Sequence, residues 1–264
     1  MNRTAQRLGA WGGIVSIVVL AIGFWWIAGF LPPPRPSLDP AQVADYFDRN
    51  RQRIRVGMLI SMWGSTLLMP WAAAVHLQLK RVEGRFPVLA NTQYGMGVLL
   101  VAEFVFLILF WQTTAFRSDR DPKIVQAFND LAWIPFVALT STIVFQALMM
   151  SLVMLLDRSA EPLFPRWAGY FNLWATICLT PGSLVPFFHD GPLAWDGLIA
   201  LYLPLVAFAS WVIVNSALLL KAIDTRRDGT GSPGALADDP AFRDLVAEVA
   251  ALRAERGRAS EGVA

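Results

Sequence analysis

Six long apolar runs, at roughly 8–31, 55–79, 93–116, 132–156, 167–188 and 197–220, constrain this 264-residue chain more than any other feature. Each is bounded by charge or by proline and glycine. About 20 apolar residues suffice for a helix to cross ~30 Å of hydrocarbon. No water is available there to satisfy backbone N–H and C=O groups, so each run is expected to pair them within itself, as a helix. The ten-residue polar/apolar alternation of a membrane β-barrel strand is missing. Composition agrees: 55% of residues are hydrophobic and 16% charged, against about 25% charged in a soluble domain. The expected fold class is therefore all-α, a polytopic membrane bundle of six transmembrane helices over residues 1–222.

The first run follows Arg3 and Arg7 and could be mistaken for a secretory leader. It is too long for one, and Pro32-Pro33-Pro34 is no small-residue cleavage site, so it is read as a retained span. With six spans both termini share a side. Placing them inside puts ten Lys and Arg near the inner ends and eight in the outer loops. That is a weak positive-inside bias toward cytoplasmic termini.

Outside the runs two segments carry pattern. Pro32 to Pro36 reads as a stiff polyproline stem. Ser37-Leu38-Asp39-Pro40 then reads as a helix start, opening an outer-loop helix at about 39–52. Val43, Tyr46 and Phe47 form its apolar stripe, and it is expected to pack on the mouth of the bundle. From residue 223 the chain turns polar and glycine-rich, a cytoplasmic linker. Asp239-Pro240 opens a second short amphipathic helix with Phe242, Leu245, Val249 and Leu252. That tail is a candidate contact for a membrane-complex partner or a second copy.

Several chemistries are excluded. A net charge of +2 with no basic stripe argues against nucleic acid. One cysteine and two histidines draw no metal site, and no cofactor motif is present. Cys178 is expected as a small apolar packing residue, and His189 as a solvated turn residue. No nucleophile elbow, phosphate loop or di-iron pattern occurs, so no catalytic residue is assigned.

Polar residues inside the runs are the informative positions, because a mid-bilayer charge costs roughly 2.5–3.5 kcal/mol and usually faces the bundle interior. Glu103 is the one clearly central carboxylate. It lies about ten residues, or about 15 Å, from the inner end of the third run. Gln146 falls at the same depth in the fourth run. The carboxyl is expected to carry its proton and donate to an amide such as Gln146. Asn172, Asn215 and then His76 continue a polar ladder toward the inner mouth. Proline-broken stretches at Pro70, at Thr180-Pro181-Gly182 through Pro186, and at Pro204 add a second clue. Freed carbonyls at such breaks often line cavities, with Thr180, Ser183 and Tyr202 nearby. Eleven tryptophans serve packing and interface belts (Trp11, Trp133, Trp167 and Trp195 at run ends). A subset including Trp63 is a candidate wall for an apolar ligand.

Leu163-Phe164-Pro165-Arg166-Trp167-Ala168-Gly169-Tyr170-Phe171-Asn172-Leu173-Trp174 resembles a segment of a group of multi-span actinobacterial membrane proteins. The Val82-Glu83-Gly84 turn and Asn129-Asp130-Leu131-Ala132-Trp133 share the resemblance, which covers residues 10–222. It implies a six-span bundle in the plasma membrane and carries no activity.

The leading functional expectation is an integral membrane protein that binds, and passes, a small apolar or amphipathic molecule. Its ligand contacts would be Glu103, Gln146, Asn172, Asn215, Tyr202 and Trp63, with membrane lipids as its other partners. The alternatives are a membrane-embedded isomerase or cyclase using Glu103 as general acid, and a non-catalytic subunit or assembly factor.

Overall fold

The computed structural model describes residues 3–225 and Asp244, and those residues contain helix and no strand. Residues Met1–Ile223 form one compact unit. The expected tail helix around Phe242, Leu245, Val249 and Leu252 lies outside the described residues.

Eight α-helices follow in order: α1 Arg3–Leu20, α2 Pro40–Thr66, α3 Leu68–Glu83, α4 Val88–Thr114, α5 Pro122–Ala138, α6 Ser141–Leu156, α7 Arg166–Leu179 and α8 Leu203–Thr225. Three tighter or wider segments interrupt them: π-helical Ala21–Ile27 and Leu198–Tyr202, and the 3₁₀ segment Thr180–Phe187. Taken with their continuations, five stretches among the described residues are long and apolar enough to cross a membrane: Arg3–Ile27, Pro40–Glu83, Val88–Thr114, Pro122–Leu156 and Leu198–Asp224. The run expected at 167–188 is not among them. Its α-helix stops after 14 residues, where Thr180-Pro181-Gly182 begins the 3₁₀ segment. Proline lacks the N–H that an α-helical bond requires.

The outer-loop helix differs from expectation as well. It is not a separate element, because α2 runs unbroken from Pro40 to Thr66 through the former boundary. Asp39 caps it in a reciprocal pair with Gln42: Gln42 N donates to Asp39 Oδ1 at 2.9 Å, and Asp39 N to Gln42 Oε1 at 3.0 Å. Beyond the cap, Arg49 to Arg55 contain no glycine or proline, and Arg and Gln are strong helix formers, so nothing stops the helix before the bilayer. The stem ahead of it is tied down. Trp195 Nε1 donates to Pro34 O at 2.8 Å, Gln126 Nε2 to Leu38 O at 3.1 Å, and Tyr46 OH to Gly29 O at 3.4 Å.

Helix α4 is the axis of the bundle, packed against α2, α3, α5 and α6, and its whole apolar stretch from Val88 to Thr114 is one uninterrupted α-helix. Its start is fixed by Glu83, whose carboxylate accepts the N–H groups of Leu89 and Ala90 at 2.8 Å each. Negative charge is favoured at that end of a helix. Close approach elsewhere uses small residues, as expected where lipid offers no hydrophobic drive for association. A Cβ on Gly57 of α2 would collide with Gly23 O and Ala28 N. One on Gly97 of α4 would sit 2.8 Å from both Ala72 Cβ and Gln146 Nε2.

Two apolar clusters fill the interior. One joins Trp71, Trp211, Met150 and Leu219; the other joins Phe24, Phe30, Trp111 and Trp133 near the α1–α2 connection. Trp111 and Trp133 meet edge to face at 5.0 Å, and Phe24 stacks on Phe136 at 5.1 Å. Trp133 and Trp195 are thus buried packing residues, not belt residues. Trp133 is three turns inside α5, which starts earlier than its apolar run suggests. Trp11 and Trp167 remain about half exposed, and Cys178 packs half-buried against the first cluster.

Candidate functional site

The expected polar ladder separates into unlike parts. Asn172 on α7 and Asn215 on α8 meet reciprocally: Asn172 Nδ2 donates to Asn215 Oδ1 at 3.2 Å and Asn215 Nδ2 to Asn172 Oδ1 at 3.3 Å. Trp211 Nε1 donates to Asn172 Oδ1 at 2.7 Å, and the two amides also bond Ala168 O and Trp211 O at 2.8 Å. Every amide atom of this buried pair is engaged, so it works as an interhelical lock. His76 lies elsewhere, its Nδ1 3.0 Å from Ala90 O and its ring 5.3 Å from Tyr94.

Glu103 does not meet Gln146. The hydroxyl of Thr142 donates to Glu103 Oε2 at 2.7 Å. Gln146, one turn further along α6, instead lies fully buried against Gly97, and neither of its amide atoms has a hydrogen-bond partner among the described residues. The expected equal level of the two side chains does not hold: Thr142 lies level with Glu103, and Gln146 lies level with Gly97, six residues earlier on α4. Thr142 and Gln146 share a face of α6, so the shift of α6 along α4 decides which of them meets the carboxyl. Gln93, one turn from Gly97 on α4, is equally buried and unpartnered. Glu103 itself is half-buried, at the edge of the face that exposes Leu99 and Phe106.

A cavity of about 250 Å³ opens between the first segment, α4, α5 and α8. Phe24, Phe104, Ile108, Phe136 and Phe208 form its inner wall, and Ser61 is its one hydroxyl. The exposed residues Trp25 and Val206 stand at its mouth, so it opens on the side of the bundle. A second cavity of about 100 Å³ lies behind Phe104, Phe136, Leu205 and Phe208, which line both spaces. Phe104 sits 6.0 Å from Phe136 and 5.8 Å from Phe208, and these rings form the partition.

Helix breaks converge on this smaller space. Thr140 at the α5–α6 break, Leu179 at the end of α7, and Ala200 and Pro204 around the second π-helical segment all line it. A Cβ on Gly182 would strike Val137 O, with Thr140 Cγ2 at 2.9 Å, so the breaks also pack on one another. The proline and glycine signals at Pro181, Gly182 and Pro204 were readable in the sequence. The break at Leu139–Thr140 was not: Pro135 lies a turn upstream, and no residue at the break itself announces it.

Trp63 is 70% exposed on α2, and Tyr202 is half-buried against the second apolar cluster. Neither lines either cavity. Thr142 and Gln93 were missed because a lone hydroxyl, or an amide near a helix end, carries no signal until a neighbouring helix is placed beside it. No group of three metal-ligating side chains occurs among the described residues.

The fold defines the class: five apolar helices of this length fit a multi-pass membrane protein. No family model, curated protein or solved structure matches the chain.

Proposed function

We propose that this protein crosses the membrane six times and binds the chain of a small apolar or amphipathic molecule in the lateral cavity, passing it by way of the Phe104 partition. The observation that carries this reading is the cavity itself: about 250 Å³, walled almost wholly by apolar side chains and open at Trp25 and Val206. An apolar space of about 150 Å³ already suffices to hold a benzene-sized ligand. The sixth crossing is supported by arithmetic. Fourteen α-helical and eight 3₁₀ residues reach about 21 Å and about 16 Å in turn, enough together to cross ~30 Å of hydrocarbon.

The polar contacts of the ligand are fewer than the sequence suggests. Asn172 and Asn215 are spent on each other, and Glu103 lines neither cavity. A general-acid role for Glu103 therefore has no substrate space beside it in either one. The test is equilibrium binding of radiolabelled hexadecanol to the protein in phosphatidylcholine nanodiscs. Ala209, on the cavity wall, is the position to fill. Ala209→Trp is expected to weaken binding about tenfold, a change of about 1.4 kcal/mol. Hexadecanol bound equally by wild type and Ala209→Trp would overturn the reading.

A further inference from the structure

We infer that the lateral cavity takes an anionic amphiphile, with its chain among the phenylalanines and its headgroup on the guanidinium of Arg53. This rests on the proposed chain-binding role of the cavity.

The cavity does not end at its apolar wall. Ala21, Trp25 and Leu31 line it and also line an open groove of about 540 Å³, whose remaining wall includes Trp26, Gly29 and Arg53. The two spaces form one path, apolar within the bundle and cationic at the α1–α2 connection. That is the polarity pattern of an amphiphile lying along the membrane normal.

Arg53 is not committed in the way its neighbours are. On the same helix, Arg49 pairs with Asp45 at 2.8 Å and Arg51 pairs with Asp48. Arg53 pairs with no carboxylate among the described residues. Its Nε donates to Ile27 O at 3.1 Å and its Nη2 to Trp26 O at 3.3 Å, two carbonyls at the end of the first π-helical segment. These bonds hold the guanidinium plane at the groove. An arginine carries five N–H donors in a rigid fork, and two are used here. Nη1 has no protein partner among the described residues. A fixed, uncompensated fork with donors to spare is suited to a sulfonate, phosphate or carboxylate head. Trp25 and Trp26, 60% and 77% exposed, line the same groove, and exposed tryptophan is the side chain membranes enrich at their interface.

The test uses the full chain in zwitterionic phosphatidylcholine nanodiscs at pH 7.5, with two probes of equal chain length. Hexadecanesulfonate carries a permanent negative head, and hexadecanol carries none. The wild type is expected to bind the sulfonate about tenfold more tightly than the alcohol, with the preference shrinking in high salt. Arg53→Gln is expected to abolish that preference, weakening the sulfonate about tenfold more than hexadecanol. Arg53→Lys, which keeps the charge, is expected to retain most of it. Thermal unfolding without ligand monitors the carbonyl-capping role separately. Equal binding of the two probes by wild type, or an unchanged preference in Arg53→Gln, would overturn the headgroup assignment and leave chain binding standing. Failure of both probes to bind the wild type would overturn the cavity reading and this inference together.

Discussion

Glu103 and Thr142 show what a single hydrogen bond means at this depth. The carboxyl sits at the edge of an exposed apolar face with one side-chain donor, the hydroxyl of Thr142. Interhelical bonds of this kind contribute about 0.6 kcal/mol on average and up to about 1.7 kcal/mol in membrane proteins. Thr142→Val is expected to cost about 1 kcal/mol, because the carboxyl keeps its desolvation penalty and loses its donor. Adding Glu103→Leu should recover most of that loss, since removing both partners leaves nothing unpaired. A double-mutant cycle read by unfolding in mild detergent measures the coupling. Strictly additive effects would remove the bond from the stability of the α4–α6 contact. The Asn172–Asn215 pair illustrates the opposite condition, in which each amide is satisfied several times over and nothing remains for a ligand.

At the scale of elements, the contrast between α4 and its neighbours organises the bundle. Helix α4 is continuous, whereas the first segment widens into a π-helix, α2 and α3 meet at Leu67, α5 and α6 part at Leu139–Thr140, and α7 tightens into a 3₁₀ segment. Such breaks are tolerated where side chains re-satisfy the freed backbone groups, and Arg53 does so at the end of the first π-helical segment. The crossing of the first segment over α2 depends on Gly57, where added bulk meets the backbone of Gly23 and Ala28. Gly57→Val is expected to destabilise by about 2 kcal/mol or more, because backbone atoms yield less than side chains. Thermal unfolding checks it, and a neutral outcome would show that the two segments slide apart freely. Because that segment carries Ala21, Phe24 and Trp25, the same variant should also widen the lateral cavity.

At the scale of the whole molecule, the segment 166–187 decides the number of crossings. If it crosses, the loop at Ser159 and the loop at Asp190 lie on opposite sides. If it folds back, they lie on the same side. Single cysteines at Ser159 and Asp190 in a Cys178→Ser background, probed with an impermeant maleimide in sealed vesicles, separate these cases. Opposite accessibility is the expected result, and equal accessibility would reduce the count to five. The sequence by itself determined the all-helical architecture of long apolar helices and the breaks at Thr180-Pro181-Gly182 and Pro204. Those follow from hydropathy and the missing proline N–H, properties local to the chain. Only the tertiary structure decided that Thr142 rather than Gln146 faces Glu103, that Asn172 and Asn215 consume each other, and that Phe104, Phe136 and Phe208 divide two cavities. It also decided that α2 absorbs the outer-loop helix and brings Arg53 beside the first segment. These depend on how each helix is rotated about and shifted along its axis and which neighbour it meets, and in a chain this uniformly apolar no amphipathic stripe in the sequence records either.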